Sequence, residues 1–336
     1  MVLKNAKPHK KRTVLIFICI AFLIIAALFL YIYSRTYAKS SRLGMELTPA
    51  AFQSIMGRAI PALIGMSCAA AVIAVLSQAF QTITQSRLLT PSMIGFDSVF
   101  MGTQTALVFV FGASSRLFSN PYINYLISAG GMVVISMLMY SSILRKNKNN
   151  IIFLLMFGLV FSGILRNGAR YLQVIMSEND FNQVQAAVNV TVNNMNTNII
   201  FLALPLMLGI ILVIMRRHKV YDVMSLGPDN ARSLGVDYDK EMTFTLVLIA
   251  VGMSAVTALI GSLTFLGLLA VNIAREILKT SKHLPLFIGS AGLAALTLIF
   301  GQGVVELLQG AVPVTAVIDL LGCSYMFYLI LKENRF

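Results

Sequence analysis

The chain has 336 residues, of which 57% are hydrophobic and only 12% charged, and its mean hydropathy is +0.81. A soluble domain carries roughly a quarter charged residues, so this composition cannot cover a water-facing surface, and the chain reads as an all-α, polytopic membrane protein. The net charge of +13 would point to nucleic acid in a soluble protein; here the cations cluster in short segments between apolar runs, so the bilayer is the expected partner and nucleic acid is not.

A crossing needs about 20 apolar residues. Residues 1–13 form a basic tail containing KNAKPHKKR, and residues 14–33 are the first predicted span. That run is too long for a signal-peptide core and lacks a small-residue cleavage site, so it is expected to remain as a helix. Further spans are predicted at 59–80, 93–111, 122–143, 151–165, 197–215, 241–260, 264–277, 286–307 and 314–331, about ten in all. Residues 14–336 then form one transmembrane domain. With the N-terminus placed in the cytoplasm, about 19 of the 26 Lys and Arg residues fall inside and about six outside, which puts both ends of the chain inside.

Two connecting segments are too long to be plain links. The outer loop, 166–196, is too polar to span and too apolar to be only linker, so a short helix over the outer mouth is expected there. The inner loop, 216–240, holds SLGPDNARSLGV. Pro228 follows Gly227, Asp229 stands in the first turn, and Gly235 closes the segment, which is the grammar of one or two short surface helices.

GSLTFLGLLAVNIAR, 261–275, is a poor membrane helix. Gly261 and Gly267 weaken the helix locally, while Thr264 and Asn272 offer hydrogen bonding that lipid cannot use. Unsatisfied backbone in hydrocarbon costs several kcal/mol, so such a stretch survives only inside protein or beside a water-filled cavity. Composition alone leaves two readings open: a packing element built on small residues, or a wall of a solute pathway. Asp319 is expected to be the one carboxylate within an apolar run, either near the outer end or facing a pathway. Cys19, Cys68 and Cys323 are scattered in apolar runs, and His9, His218 and His283 lie equally far apart, so no metal site is expected. There is no G-x-x-x-x-G-K-[ST] phosphate loop and no Ser/His/Asp constellation; the chain is expected to be no enzyme and to hold no cofactor of its own.

The broken segment resembles the signature G-x-I-x-F-V-G-L-x-x-P-H-x-x-R of the FecCD-type permeases of bacterial iron–siderophore and cobalamin importers. Gly261, Phe265, Gly267, Leu268 and Arg275 match, and Val271-Asn272 stand where the family has Pro-His. QTITQSRLLTPSMIG, 81–95, resembles Q-x4-N-P-L-A-x-P-x-x-x-G through Gln81, Leu88, Pro91 and Gly95, with Ser86-Arg87 replacing Asn-Pro. The inner-loop stretch resembles S-L-G-x-x-x-A-x-x-L-G-V throughout. VPVTAVIDLLGCSYMFYLILK, 312–332, resembles the family's closing helix through Pro313, Val314, Gly322, Tyr328 and Leu329.

The resemblance implies the permease fold of cobalamin importers, with ten helices and a path enclosed with a second permease subunit, a paralogue or a second copy. It implies an extracytoplasmic substrate-binding protein outside and two ATPase subunits inside, ATP and magnesium being held on the latter. Residues implied in ATPase coupling are Leu226, Gly227, Asp229, Ala231, Arg232, Leu234 and Gly235, against the alternative of a membrane-surface amphipathic helix. Residues implied in the pathway and broken helix are Gln81, Pro91, Gly261, Thr264, Phe265, Gly267 and Asn272. Binding-protein docking falls to Arg58, Arg166 and Arg170. Arg58 lies near Pro61, roughly where the family has R-x-P-R with Ala62 in place of the second arginine, and it also fits a snorkelling helix-end residue. The implied cargo is an iron(III)–siderophore complex of catecholate type, carried across a bacterial plasma membrane. Cobalamin or haem is the alternative cargo, and an ion-coupled secondary transporter is the alternative class.

Overall fold

The computed structural model describes residues 6–43, 49–146, 151–188, 197–308 and 312–333; side chains close to several of these limits, and that of Arg58, lie outside the description. In chain order the helices are α1 (Ala6–Leu43), α2 (Pro49–Thr84), α3 (Phe96–Phe111), α4 (Arg116–Ser119), α5 (Pro121–Lys146), α6 (Ile151–Ile175) and α7 (Glu178–Val188). They continue with α8 (Thr197–Arg216), α9 (His218–Met224), α10 (Pro228–Ser233), α11 (Tyr238–Ile260), α12 (Leu266–Leu278), α13 (His283–Leu307) and α14 (Val314–Glu333). A 3₁₀ turn, Pro91–Ile94, precedes α3.

Each apolar run of the sequence is met by a helix. Among the described residues six of them, in α1, α2, α5, α8, α11 and α13, are long and apolar enough to cross a membrane by length and composition. Two limits move. Residues 93–95, read as the start of a span, belong to the 3₁₀ turn and to Gly95, so α3 starts only at Phe96. The run read as ending at residue 165 continues as α6 to Ile175, because a helix persists through isolated arginines whose long side chains reach out of the apolar zone. The expected short helix of the following segment is α7, which packs on α3.

α2 is the axis of the bundle. Its window Ala59–Thr84 is 72% buried, whereas Val14–Tyr37 of α1 is 17% buried and lies at the edge. Ala69, Ala70, Ala74 and Ala79 of α2 are fully buried, and small side chains let α8, α11, α12 and α13 approach closely. Buried polar side chains find partners across helices rather than lipid. Gln104 of α3 donates to Asn124 and Ser128 of α5, Gln173 of α6 donates to Thr105 of α3, and Ser290 of α13 donates to Gln78 of α2.

Candidate functional site

α11 ends at Gly261, whose φ of +96° is a conformation that L side chains rarely adopt; its N–H bonds the Thr257 carbonyl at 2.8 Å. The chain then turns through residues 262–265 and begins α12 at Leu266. With 13 residues α12 rises about 20 Å, short of the roughly 30 Å of hydrocarbon. α3, with 16 residues, rises about 24 Å and is also short. Irregular chain precedes each of them, 85–95 with its 3₁₀ turn before α3 and 261–265 before α12.

These two irregular stretches are paired. Thr264 Oγ1 donates to Asp97 Oδ2 at 2.9 Å, at the start of α3. Further along, Asn272 Nδ2 donates to the Arg87 carbonyl at 3.0 Å and to the Leu268 carbonyl of its own helix at 3.0 Å. Gln81 Nε2 donates to the same Arg87 carbonyl, again at 3.0 Å. One carbonyl has two lone pairs, and here both are taken by side chains from two separate motifs. Close packing encloses the pair. A Cβ on Gly267 would collide with the Ser77 side chain of α2, whose Cβ lies 2.8 Å away, and one on Gly158 of α6 would meet the Ile94 carbonyl oxygen at 2.8 Å. Gly322 of α14 lies on the Phe265 side chain in the same way. Pro91 is buried within the 3₁₀ turn. Thus Gln81, Pro91, Gly261, Thr264, Phe265, Gly267 and Asn272 converge on one structure.

Next to it, at the basic end of the bundle, α9 is tied to the end of α2. Gln85, which has a left-handed φ of +52°, donates from Nε2 to the Thr82 carbonyl at 2.7 Å and to the Met224 carbonyl of α9 at 3.0 Å. Asp222 of α9 accepts from the His283 backbone N–H at 2.7 Å and sits 2.8 Å from His283 Nδ1, while His283 Nε2 lies 2.8 Å from Thr82 Oγ1. The His283 ring is thereby held at both nitrogens between α9 and α2. Tyr221 of α9 packs edge-on against Phe287, and its hydroxyl lies 3.0 Å from Thr245 Oγ1. Burial pushes that hydroxyl up to about 12, so it stays protonated.

The inner loop forms α9 and α10. Gly227, at φ +98°, lets the chain turn into Pro228 at the start of α10, and Gly235, at φ +86°, follows its end. Ala231 is fully buried and anchors α10, while Leu226 and Leu234 on either side of it are 55% and 62% exposed. Asp229 is fully exposed, and Arg232 bridges to Asp239 at 3.1 Å and to Asp229 at 3.6 Å.

Between the Arg87 loop, α12 and the start of α13 lies a cavity of about 750 Å³, lined by Gln81, Arg87, Asn272, Arg275, Lys279 and Tyr325 among others. Of the docking candidates, Arg166 and Arg170 are both exposed and share one face of α6. Arg166 Nη2 reaches Ser98 Oγ of α3 at 3.4 Å, and Arg170 is exposed one turn further along α6. Arg58 is a residue of α2 whose side chain is outside those described.

Asp319 is not the one carboxylate in the apolar runs. Asp97, at the start of α3, is a second, close enough to Asp319 for the two charges to interact. Asp97 stands in the sequence two residues after Gly95, in an apolar run, and that placement is the signal that marks it. For Gln85, Asp222 and His283 no local signal exists, because each is defined by a partner on another helix.

Comparison with known proteins agrees with this geometry. Residues 15–332 match the model of the FecCD transport family. The petrobactin import system permease protein YclO of Bacillus subtilis is 39% identical over 257 residues, covering 76% of this chain and 82% of its own length. The petrobactin import system permease protein FatC of Bacillus anthracis is 30% identical over 286 residues, covering 84% of this chain and 80% of its own. A solved inward-facing chain of a metal-chelate type ABC transporter superposes with a TM-score of 0.76 at 19% identity, covering 93% of this chain and 99% of that one, which establishes a shared fold.

Proposed function

This chain belongs to the FecCD transport family, a family of multi-pass membrane permeases, and from that premise we propose that it is the transmembrane subunit of an ATP-driven importer of iron(III)–siderophore complexes. The observation that carries the reading is the mutual pairing of the two irregular segments around the Arg87 carbonyl. Lipid would leave such backbone unsatisfied, so it belongs inside protein or beside a polar route, and the cavity lined by Gln81, Arg87 and Asn272 favours the route. The two relatives named for petrobactin import favour a siderophore as cargo over cobalamin or haem.

In this reading the basic end of the bundle faces the cytoplasm. Of the two ATPase subunits of the complex, one docks on α9 and α10 of this chain, with Leu226 and Leu234 as apolar contacts and Ala231 as the anchor. Displacement of α9 reaches the Arg87 loop through Gln85 and through the Asp222–His283–Thr82 bridge. A substrate-binding protein docks on the opposite end, using Arg58, Arg166 and Arg170, and a second permease subunit closes the path. ATP and magnesium reside on the ATPase.

The complex isolated through a tag on this chain, reconstituted in vesicles with its binding protein, is expected to accumulate ⁵⁵Fe-siderophore only with ATP inside the ATPase compartment. Accumulation driven by an ion gradient without ATP would instead make the protein a secondary transporter.

A further inference from the structure

The 750 Å³ cavity at the basic end is of a size that holds a small molecule, and its charge is unbalanced. Arg87, Arg275 and Lys279 line it, against the single carboxylate of Glu276, which accepts from the Tyr325 hydroxyl at 3.2 Å. The other acidic group close by, Asp222, is engaged with His283. Among the described residues no ion pair involves Arg87, Arg275 or Lys279. Arg275 is half-buried and feels the positive charge of Arg87 directly. Two guanidinium groups that repel each other in a partly desolvated cleft raise the free energy of the resting protein unless an anion visits. The backbone of Arg87 is meanwhile fixed by the two side-chain bonds to its carbonyl, so the guanidinium is presented from a rigid base.

We propose that Arg87 and Arg275 form a transit site for an anionic ferric chelate, so that the permease itself favours anionic over neutral cargo. The proposal rests on the importer reading above. Iron(III) held by three catecholate dianions carries net negative charge, whereas iron(III) held by three hydroxamate monoanions is neutral. Guanidinium groups present paired N–H donors that match the oxygen edges of the first complex. Both arginines are accessible to water, which keeps the attraction weak enough for release, as a transport site requires. The same field draws an anion towards the basic end of the path.

The test uses the nucleotide-free complex, purified through this chain without its binding protein, and equilibrium binding of two ⁵⁵Fe probes: the tris-catecholate complex of 2,3-dihydroxybenzoylglycine and the neutral tris-hydroxamate ferrichrome. The wild-type complex is expected to bind the catecholate complex on the order of tenfold more tightly, about what two partly exposed ion pairs supply. R87Q/R275Q abolishes the preference and R87K/R275K retains most of it. Absence of a preference in the wild type, or equal loss of both probes in R87Q/R275Q, overturns the proposal. Loss of the ATPase from purified R87Q/R275Q also overturns it, and assigns the arginines to the ATPase instead. ATP-driven uptake by the wild type with its binding protein, measured alongside, separates the outcomes: if that uptake is present and the preference is not, this inference fails alone, and if the uptake is missing the importer reading fails with it.

Discussion

Asn272 stands where the resembling family has histidine, and its amide nitrogen shows what that position does here. The two N–H groups of Nδ2 serve two carbonyls, those of Arg87 and Leu268, at 3.0 Å each. Truncation to alanine leaves Gln81 still donating to the Arg87 carbonyl, so no partner is stranded and the loss is that of an ordinary hydrogen bond, about 0.5–1.5 kcal/mol. N272A is therefore expected to insert and assemble but to transport several-fold more slowly, whereas N272H, whose ring can offer one N–H, keeps most of the rate. Uptake per assembled complex measures the difference; equal rates in N272A and wild type would mean that the bond to Arg87 is incidental. At this scale the sequence was partly legible. The polarity of Thr264 and Asn272 announced that they needed partners, but the partners, Asp97 and the Arg87 carbonyl, are 167 and 185 residues away, and no local pattern names them. Gly267 is similar: its helix-weakening character is visible in the sequence, yet the reason for it is the Ser77 side chain of α2.

Among the elements, α9 and α10 were the most readable. Glycine before proline, an acid in the first turn and a closing glycine are local instructions, and the structure places α10 at Pro228–Ser233 between Gly227 and Gly235. Proline at position 227 cannot adopt φ +98°, since its ring holds φ near −65°. Asp229→Lys reverses a fully exposed charge at the start of α10 and opposes the helix dipole there. Both G227P and D229K are expected to leave the protein inserted while reducing ATPase co-purification at least tenfold; recovery of an intact complex from either would remove α10 from the ATPase interface. The mechanical tie of α9 to α2 was not readable, because His283 looks like a stray residue of a basic connector until α13 sets it between Asp222 and Thr82. α3 and α12 illustrate the converse. Their shortness was visible for one of them and misjudged for the other, where an apolar 3₁₀ turn passes for the first turn of a span.

For the whole molecule, charge distribution carries the argument about its two ends. Arg166 and Arg170 are both exposed, one turn apart on α6; Arg166 also reaches Ser98 on the neighbouring helix, so Arg170 is the simpler of the two to test as a docking contact. R170E is expected to weaken binding-protein docking several-fold at low ionic strength and by much less near physiological salt, where the Debye length falls to about 8 Å. Titration of the binding protein against the vesicle-bound complex at two salt concentrations reads this; an affinity that ignores both the charge and the salt would take Arg170 off the interface. Membrane class, the positions of the apolar helices, the inner surface helices and the family were determined by the sequence itself, since hydropathy, charge placement and capping residues act over one helix or one turn. Tertiary structure alone decided which irregular segments shelter each other, why Arg87 is held by its carbonyl, and which cations gather around the cavity without an ion pair among the described residues. The physical reason is that a backbone group taken out of water must be satisfied by whatever the fold brings near it, and distance along the chain places no limit on where that partner comes from.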